Sequence, residues 1–197
     1  MTADAQATSH TKAQIRARIR AMRNQLDTSE MADRDAARTG RIVSALKKLS
    51  CEVIACYVSR EPEPDTLELL TDLADQGVGI LLPWLGPDLS QVSWAWWAGE
   101  EMVDGPFGIP IPTAPRMGPD VLSQADVIIV PGLAGTRSGI RLGQGGGWYD
   151  RALPHARPGA PRWMLLNDSE VLDDLPCDPH DQRVTALVTE HHWISCG

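Results

Sequence analysis

Asp126-Val127-Ile128-Ile129-Val130-Pro131-Gly132-Leu133-Ala134 decides how this chain is read. Val127–Val130 is a continuous β-branched run, the pattern of a strand covered on both faces of a parallel sheet. Pro131 and Gly132 end it. Downstream comes Arg141-Leu142-Gly143-Gln144-Gly145-Gly146-Gly147-Trp148-Tyr149-Asp150-Arg151. Sheets of this kind take their ligands beyond the carboxyl ends of the strands, so the glycine run is expected at a binding site. Glycine tolerates φ > 0 and lets backbone N–H groups approach a ligand closely, and several turned inward make a nest for an anion, usually phosphate. Arg141 and Arg151 bracket the run with guanidinium groups that suit phosphate. Asp150 offers the oxygen that a magnesium ion riding on phosphates would need. The plain alternative is a flexible surface loop. The run is no Walker loop, because no Gly-Lys-Ser/Thr follows, and it does not spell a dinucleotide fingerprint.

Around this centre the chain alternates. Strands are expected over 52–58, 78–82 and 162–166, a helix from Asp65 or Thr66 to Gln76 closed by Gly77, and a short helix over 148–153. Residues 91–97 read as an aromatic hairpin strand whose tryptophans belong to the core. The alternation implies an α/β fold: a three-layer sandwich with a mostly parallel central sheet and helices on both faces. Residues 11–197 are read as one domain and residues 1–10, polar and Ala-rich, as a disordered N-terminal tail.

Composition narrows the function. The 197 residues carry a net charge of −8, which argues against a general nucleic-acid binder. No apolar run approaches the length of about 20 residues that a membrane helix needs. Cys51, Cys56, Cys177 and Cys196 form no C-x-x-C pair, and a cytoplasmic location with free thiols is expected. Cys177, His180, His191, His192 and Cys196 match no standard structural-zinc spacing.

A helix is expected over 12–26, with Ile15, Ile19, Met22 and Leu26 as its apolar stripe and Lys12, Arg16, Arg20 and Arg23 on a neighbouring face. The plain reading is a solvated basic face. Residues 12–26 contain no Asp or Glu, however, and four such cations repel one another unless an anion sits among them. A second helix is expected over 29–49, with Asp27 as cap and Glu30 in capping-box spacing.

The segment Val130-Pro131-Gly132-Leu133-Ala134, followed by Gly139-Ile140-Arg141 and the glycine run to Arg151, resembles the signature of 5-formyltetrahydrofolate cyclo-ligases, also called methenyltetrahydrofolate synthetases. Three weaker matches come in the same order: Lys12, Arg16 and Arg23; Gly105 to Pro112; and Asp181 to Glu190. The chain departs from the family pattern at Ile111, at Gly135-Thr136 and at Thr185.

The resemblance implies a NagB/RpiA/CoA-transferase-like sheet and a set of site residues. ATP would lie on Lys12, Arg16, Arg141, Leu142, Gly143, Gln144, Gly145, Gly146, Gly147, Trp148 and Tyr149. The reduced folate would lie on Val58, Glu63, Gln144, Gly145, Gly146, Gly147 and Trp148, and Mg2+ on Asp150 and Asp181. Lys12, Arg141 and Asp150 would be the catalytic groups.

The implied reaction closes 5-formyltetrahydrofolate to 5,10-methenyltetrahydrofolate and releases ADP and phosphate. Phosphoryl transfer to the formyl oxygen makes an iminium phosphate, which the N10 amine attacks. Such chemistry needs positioning and charge neutralisation more than a protein nucleophile. The protein is expected to act as a monomer on small molecules, away from membranes and nucleic acid. Two other readings remain: an enzyme related to CoA-transferases or sugar-phosphate isomerases, and a nucleotide-binding family member without cyclo-ligase activity.

Overall fold

A computed structural model describes residues 3–197, with side chains from Thr11 onward. The elements are α1 (Ala3–Arg23), α2 (Thr28–Leu49), β1 (Val53–Ala55), α3 (Leu67–Asp75), β2 (Gly79–Pro83), β3 (Trp94–Trp97), β4 (Val127–Val130), β5 (Ala134–Thr136), β6 (Arg141–Leu142), α4 (Trp148–Ala152), β7 (Arg162–Leu165), β8 (Val171–Leu172), β9 (Ala186–Val188) and β10 (Trp193–Ser195). Residues 1 and 2 of the expected tail lie outside the described residues, and α1 starts at Ala3.

Seven strands form one sheet in the order β10-β9-β7-β4-β1-β2-β3. All contacts among β9, β7, β4, β1 and β2 are parallel, and only the edge strands β3 and β10 run antiparallel. Every residue of β4 is buried, and so are Ile54 and Leu81 beside it, as continuous apolar runs require when helices cover both faces. From the central β1/β4 pair the chain moves outward one way through α3 to β2, and the other way through α4 to β7 and β9. Right-handed crossovers in opposite directions put α3 and α4 on opposite faces. The same reversal opens a crevice beyond the carboxyl ends of β1 and β4, where ligands bind in such sheets. Trp94 is fully buried and Trp97 nearly so, the core role expected of them.

A second sheet, β6-β5-β8, was not foreseen. Strands of two and three residues carry too little alternation to register as a pattern. The glycine run therefore leaves the β5–β6 hairpin, not β4 directly. The hairpin packs closely on the main sheet: a Cβ at Gly135 would stand 2.8 Å from Leu187 Cδ2, the end of a flexible side chain that would have to shift.

α1 packs across the small sheet through Ile19, which is 2% exposed among Leu133, Leu142 and Leu175. Its expected last apolar residue, Leu26, lies past the helix end. Asp27 caps α2 by accepting from the Ser29 N–H. Glu30 does not complete a capping box but pairs with Arg34 one turn on. No helix among the described residues is long and apolar enough to cross a membrane.

Candidate active site

A cavity of about 590 Å³ lies beyond β1 and β4. Three chain segments make it. The chain leaving β1 brings Tyr57, Val58 and Glu63; the chain beyond β4 brings Pro131 and the glycine run; and α1 crosses over, presenting Lys12, Arg16 and Arg20. All of the nominated residues line this one cavity: Lys12, Arg16, Val58, Glu63, Arg141 through Asp150, and Asp181. Arg151 does not line it. Its guanidinium donates to the carbonyls of Leu89 and Gly146 and braces the loop from outside.

The loop has the geometry of a nest. Gly145 has φ +110° and Gly147 φ +65°, values that L side chains rarely adopt. Among the described residues, the backbone N–H groups of Gly143 to Gly147 donate to no protein acceptor. Three buried side-chain atoms on the same wall also lack partners: Arg141 Nε, Trp148 Nε1 and Tyr149 Oη. Orphaned buried donors are costly, so a wall of them is made for a ligand's acceptors. Burial raises the Tyr149 pKa well above its usual value, which keeps the hydroxyl a donor.

The expectation of four unpartnered cations on α1 fails, because their partners lie far along the chain. Lys12 Nζ donates to Asp178 Oδ2 and Asp181 Oδ2, both at 2.6 Å. Arg16 Nε donates to Gly143 O at 2.9 Å, and Arg20 to the carbonyl and side chain of Gln144. Arg23 is a structural residue: 2% exposed, it forks onto Glu170 and reaches Gly132 O. Burial lowers the Lys12 pKa, but the hydrogen bonds to Asp178 and Asp181 outweigh it and raise the value overall. For Arg16, burial and then neighbouring Arg20 lower it. The cations thus fasten α1 to the glycine loop and to the 178–181 turn.

The acids are held as well. Asp150 Oδ1 accepts from Arg141 Nη2 at 2.6 Å and from Gln182 N at 3.1 Å. Asp150 therefore adjoins the turn that carries Asp181. Asp150 Oδ2 and Asp181 Oδ1 accept no hydrogen bond from another described residue, and these hard oxygens are the ones that fit Mg2+, which binds carboxylates singly and keeps waters. Glu63 Oε1 accepts from Gln144 Nε2 at 2.8 Å, which joins the β1 loop to the glycine run.

Several lining residues were missed by the sequence reading. Asp178 and His180 stood beside Asp181 in an Asp-x-His-Asp spacing that was legible but not used. Arg60 shares a loop with Glu63, and its Nη1 donates to Phe107 O. Leu85 and Leu89 sit in a connection without a motif. The departures at Ile111, Gly135-Thr136 and Thr185 all fall outside the cavity wall.

The sequence pattern of the 5-formyltetrahydrofolate cyclo-ligase family matches residues 8–190, which takes in every nominated residue of this cavity. The chain belongs to the 5-formyltetrahydrofolate cyclo-ligase family. A 5-formyltetrahydrofolate cyclo-ligase of Mycolicibacterium smegmatis is 36% identical over 151 residues, 75% of this chain and 78% of that protein. The Escherichia coli cyclo-ligase is 27% identical over 176 residues, 87% of this chain and 96% of that protein. The solution structure of Aquifex aeolicus 5,10-methenyltetrahydrofolate synthetase superposes with a TM-score of 0.79 at 25% identity, covering 93% of this chain and 92% of that one. A Mycoplasma pneumoniae 5,10-methenyltetrahydrofolate synthetase, at 20% identity and a TM-score of 0.72, shares the fold.

Proposed function

We propose that this cavity closes 5-formyltetrahydrofolate to 5,10-methenyltetrahydrofolate and couples the closure to conversion of ATP to ADP and phosphate. One observation carries the reading. The glycine loop offers unbonded N–H groups between the cations of α1 and Arg141 on one side and the apolar wall of Val58 and Trp148, with Glu63, on the other. A polyphosphate fits the first half, and a flat heteroaromatic ring with polar edges fits the second.

A formamide is a poor electrophile and its oxygen a poor leaving group. Moving the γ-phosphoryl group onto that oxygen gives an iminium phosphate; N10 attacks its carbon and loses its proton, and phosphate departs with the former formyl oxygen and takes up that proton. Lys12, Arg16 and Arg141 neutralise phosphate oxygens, and the loop N–H groups add fixed dipoles that need no reorganisation. Glu63 accepts from the N–H edge of the pterin, and Tyr149 donates into the ligand. Asp150 and Asp181 would hold Mg2+, which would supply further neutralisation of phosphate charge.

Residues 11–197 act as one domain and one monomer in this reading. The sheet is of the type found in CoA-transferases and sugar-phosphate isomerases. Four unpaired cysteines suit a cytoplasmic setting.

The direct test mixes the purified protein with ATP, Mg2+ and 5-formyltetrahydrofolate and follows absorbance of the conjugated methenyl product. Nucleotide binding without product would leave only the nucleotide-binding reading.

Two variants separate the halves of the site. Glu63→Gln should raise the folate KM and leave ATP affinity alone; a change confined to ATP would mean the two ligands have been placed the wrong way round. Asp150→Asn should raise the Mg2+ concentration needed for half-maximal rate, since an amide oxygen is the weaker ligand for a hard cation. Unchanged metal dependence would remove Asp150 from the metal site.

A further inference from the structure

Arg16 and Arg20 stand one turn apart on α1 and grip consecutive carbonyls of the glycine loop. Arg16 Nε donates to Gly143 O at 2.9 Å, and Arg20 Nη2 donates to Gln144 O at 3.1 Å. Arg16 is half-buried and faces phosphate in the proposed reaction. Arg20 is exposed, and its guanidinium donates only to Gln144 among the described residues. Its second bond differs from the first. Arg20 Nη2 also donates to Gln144 Oε1 at 2.9 Å, and Gln144 Nε2 donates to Glu63 Oε1 at 2.8 Å. One amide side chain thus joins a guanidinium on α1 to a carboxylate in the loop after β1.

The chemistry of the three groups fixes the direction of that chain. A guanidinium only donates, and an ionised carboxylate only accepts. A bridge between them must accept at one end and donate at the other, which an amide does and a carboxylate or an ammonium does not. Arg20 therefore sets which way the Gln144 amide faces. Gly143 and Gly145 flank Gln144, so no neighbouring Cβ restrains its side chain. Ordering a glutamine costs rotamer entropy, and bonds at both ends offset that cost better than a bond at one. Glu63 is held in turn. Gln144 occupies one site on Oε1, and Arg60 N donates to Oε2 at 3.3 Å. A carboxylate has about four lone-pair sites, so the others remain for a ligand in the cavity that Glu63 lines.

We infer that Arg20 is a positioning residue for the folate, acting through Gln144 to aim the Glu63 carboxylate at the pterin edge. The inference rests on the proposed function, which gives Glu63 to the pterin. In this role Arg20 touches neither ligand. The helix that carries Lys12 and Arg16 to the phosphates reaches through Arg20 and Gln144 to the folate half of the cavity. Without Arg20 the amide is free to turn, and Glu63 loses its hold on that side, while Lys12 and Arg16 stay in place.

The test uses the full chain. 5-Formyltetrahydrofolate is titrated without nucleotide, ATP is titrated separately, and kcat and the folate KM are read from absorbance of the methenyl product. Arg20→Ala should lose about threefold to tenfold in folate affinity and raise the folate KM by a similar factor, the range that one net hydrogen bond covers. Both kcat and ATP affinity should hold. Arg20→Lys, which keeps a donor for Gln144 Oε1, should recover most of the loss. In a Gln144→Ala background, Arg20→Ala should cost the folate nothing further, because residues that act in one chain are not additive.

Losses that multiply in the double variant would overturn the inference, since Arg20 would then act on the ligand directly. A fall in kcat and ATP affinity with folate affinity unchanged would also overturn it and leave Arg20 as a fastener of α1. A wild-type chain that binds no 5-formyltetrahydrofolate would overturn the proposed function itself, and this inference with it.

Discussion

Lys12→Ala is expected to weaken ATP binding by about tenfold to a hundredfold, read by equilibrium titration with nucleotide. A hydrogen bond to a charged group contributes about 1.5–3 kcal/mol, and each 1.4 kcal/mol is about a factor of ten. Lys12 is buried at the cavity wall, so no bulk water takes over the role of its ammonium. The same change should lower the melting temperature, because Asp178 and Asp181 lose the cation between them and then repel each other. Adding Asp178→Asn to Lys12→Ala should recover stability without recovering ATP affinity. That split separates the two jobs of the residue.

The Lys12 pKa is raised in the folded protein, so its contribution to stability is complete below 10.5 and is lost as pH rises through the higher folded value. At neutral pH the ammonium is fully available for phosphate. ATP affinity that survives Lys12→Ala unchanged would return the α1 cations to a purely structural role.

How much of this was legible beforehand depended on the reach of each signal. β4 was read to the residue, because four β-branched residues closed by Pro-Gly admit few alternatives. The glycine run was read as a nest because glycine spacing is itself local, and two of its φ angles are positive. The cations of α1 misled in one respect. Their lack of acidic neighbours was true of residues 12–26, yet Asp178, Asp181 and Glu170 arrive from about 150 positions away. Sequence spacing carries no information about such pairings. It could not separate Arg23, which locks onto Glu170, from Lys12 and Arg16, which face the cavity. The β5–β6 hairpin, two short strands around a tight turn, was hidden for the opposite reason. Its stability comes from packing on Leu187 and α1 rather than from its own residues.

Gly145→Val is expected to cost at least about tenfold in turnover while the protein still folds. The expectation comes from the backbone rather than from a clash. A Cβ at this position would meet Arg16 Cζ at 3.5 Å, which is ordinary contact. The φ of +110° is what valine cannot hold, since β-branched residues with such angles are strained by about 1–3 kcal/mol. The loop relieves that strain by turning the peptides on either side, and these carry N–H groups that donate to no protein acceptor among the described residues. It also pushes its γ-methyls toward the Arg16 guanidinium, which is fastened to Gly143 O. About 1.4 kcal/mol of misplaced phosphate contact in the transition state is enough for a tenfold loss. Gly77 supplies the control. It has φ +77°, no atom within 4 Å of its would-be Cβ, and a place at the end of α3 outside the cavity wall. Gly77→Val should lower the melting temperature through the same kind of strain and leave turnover near wild type. If both variants lose stability alike and both keep wild-type kinetics, the glycine loop is a linker, and phosphate must be held elsewhere.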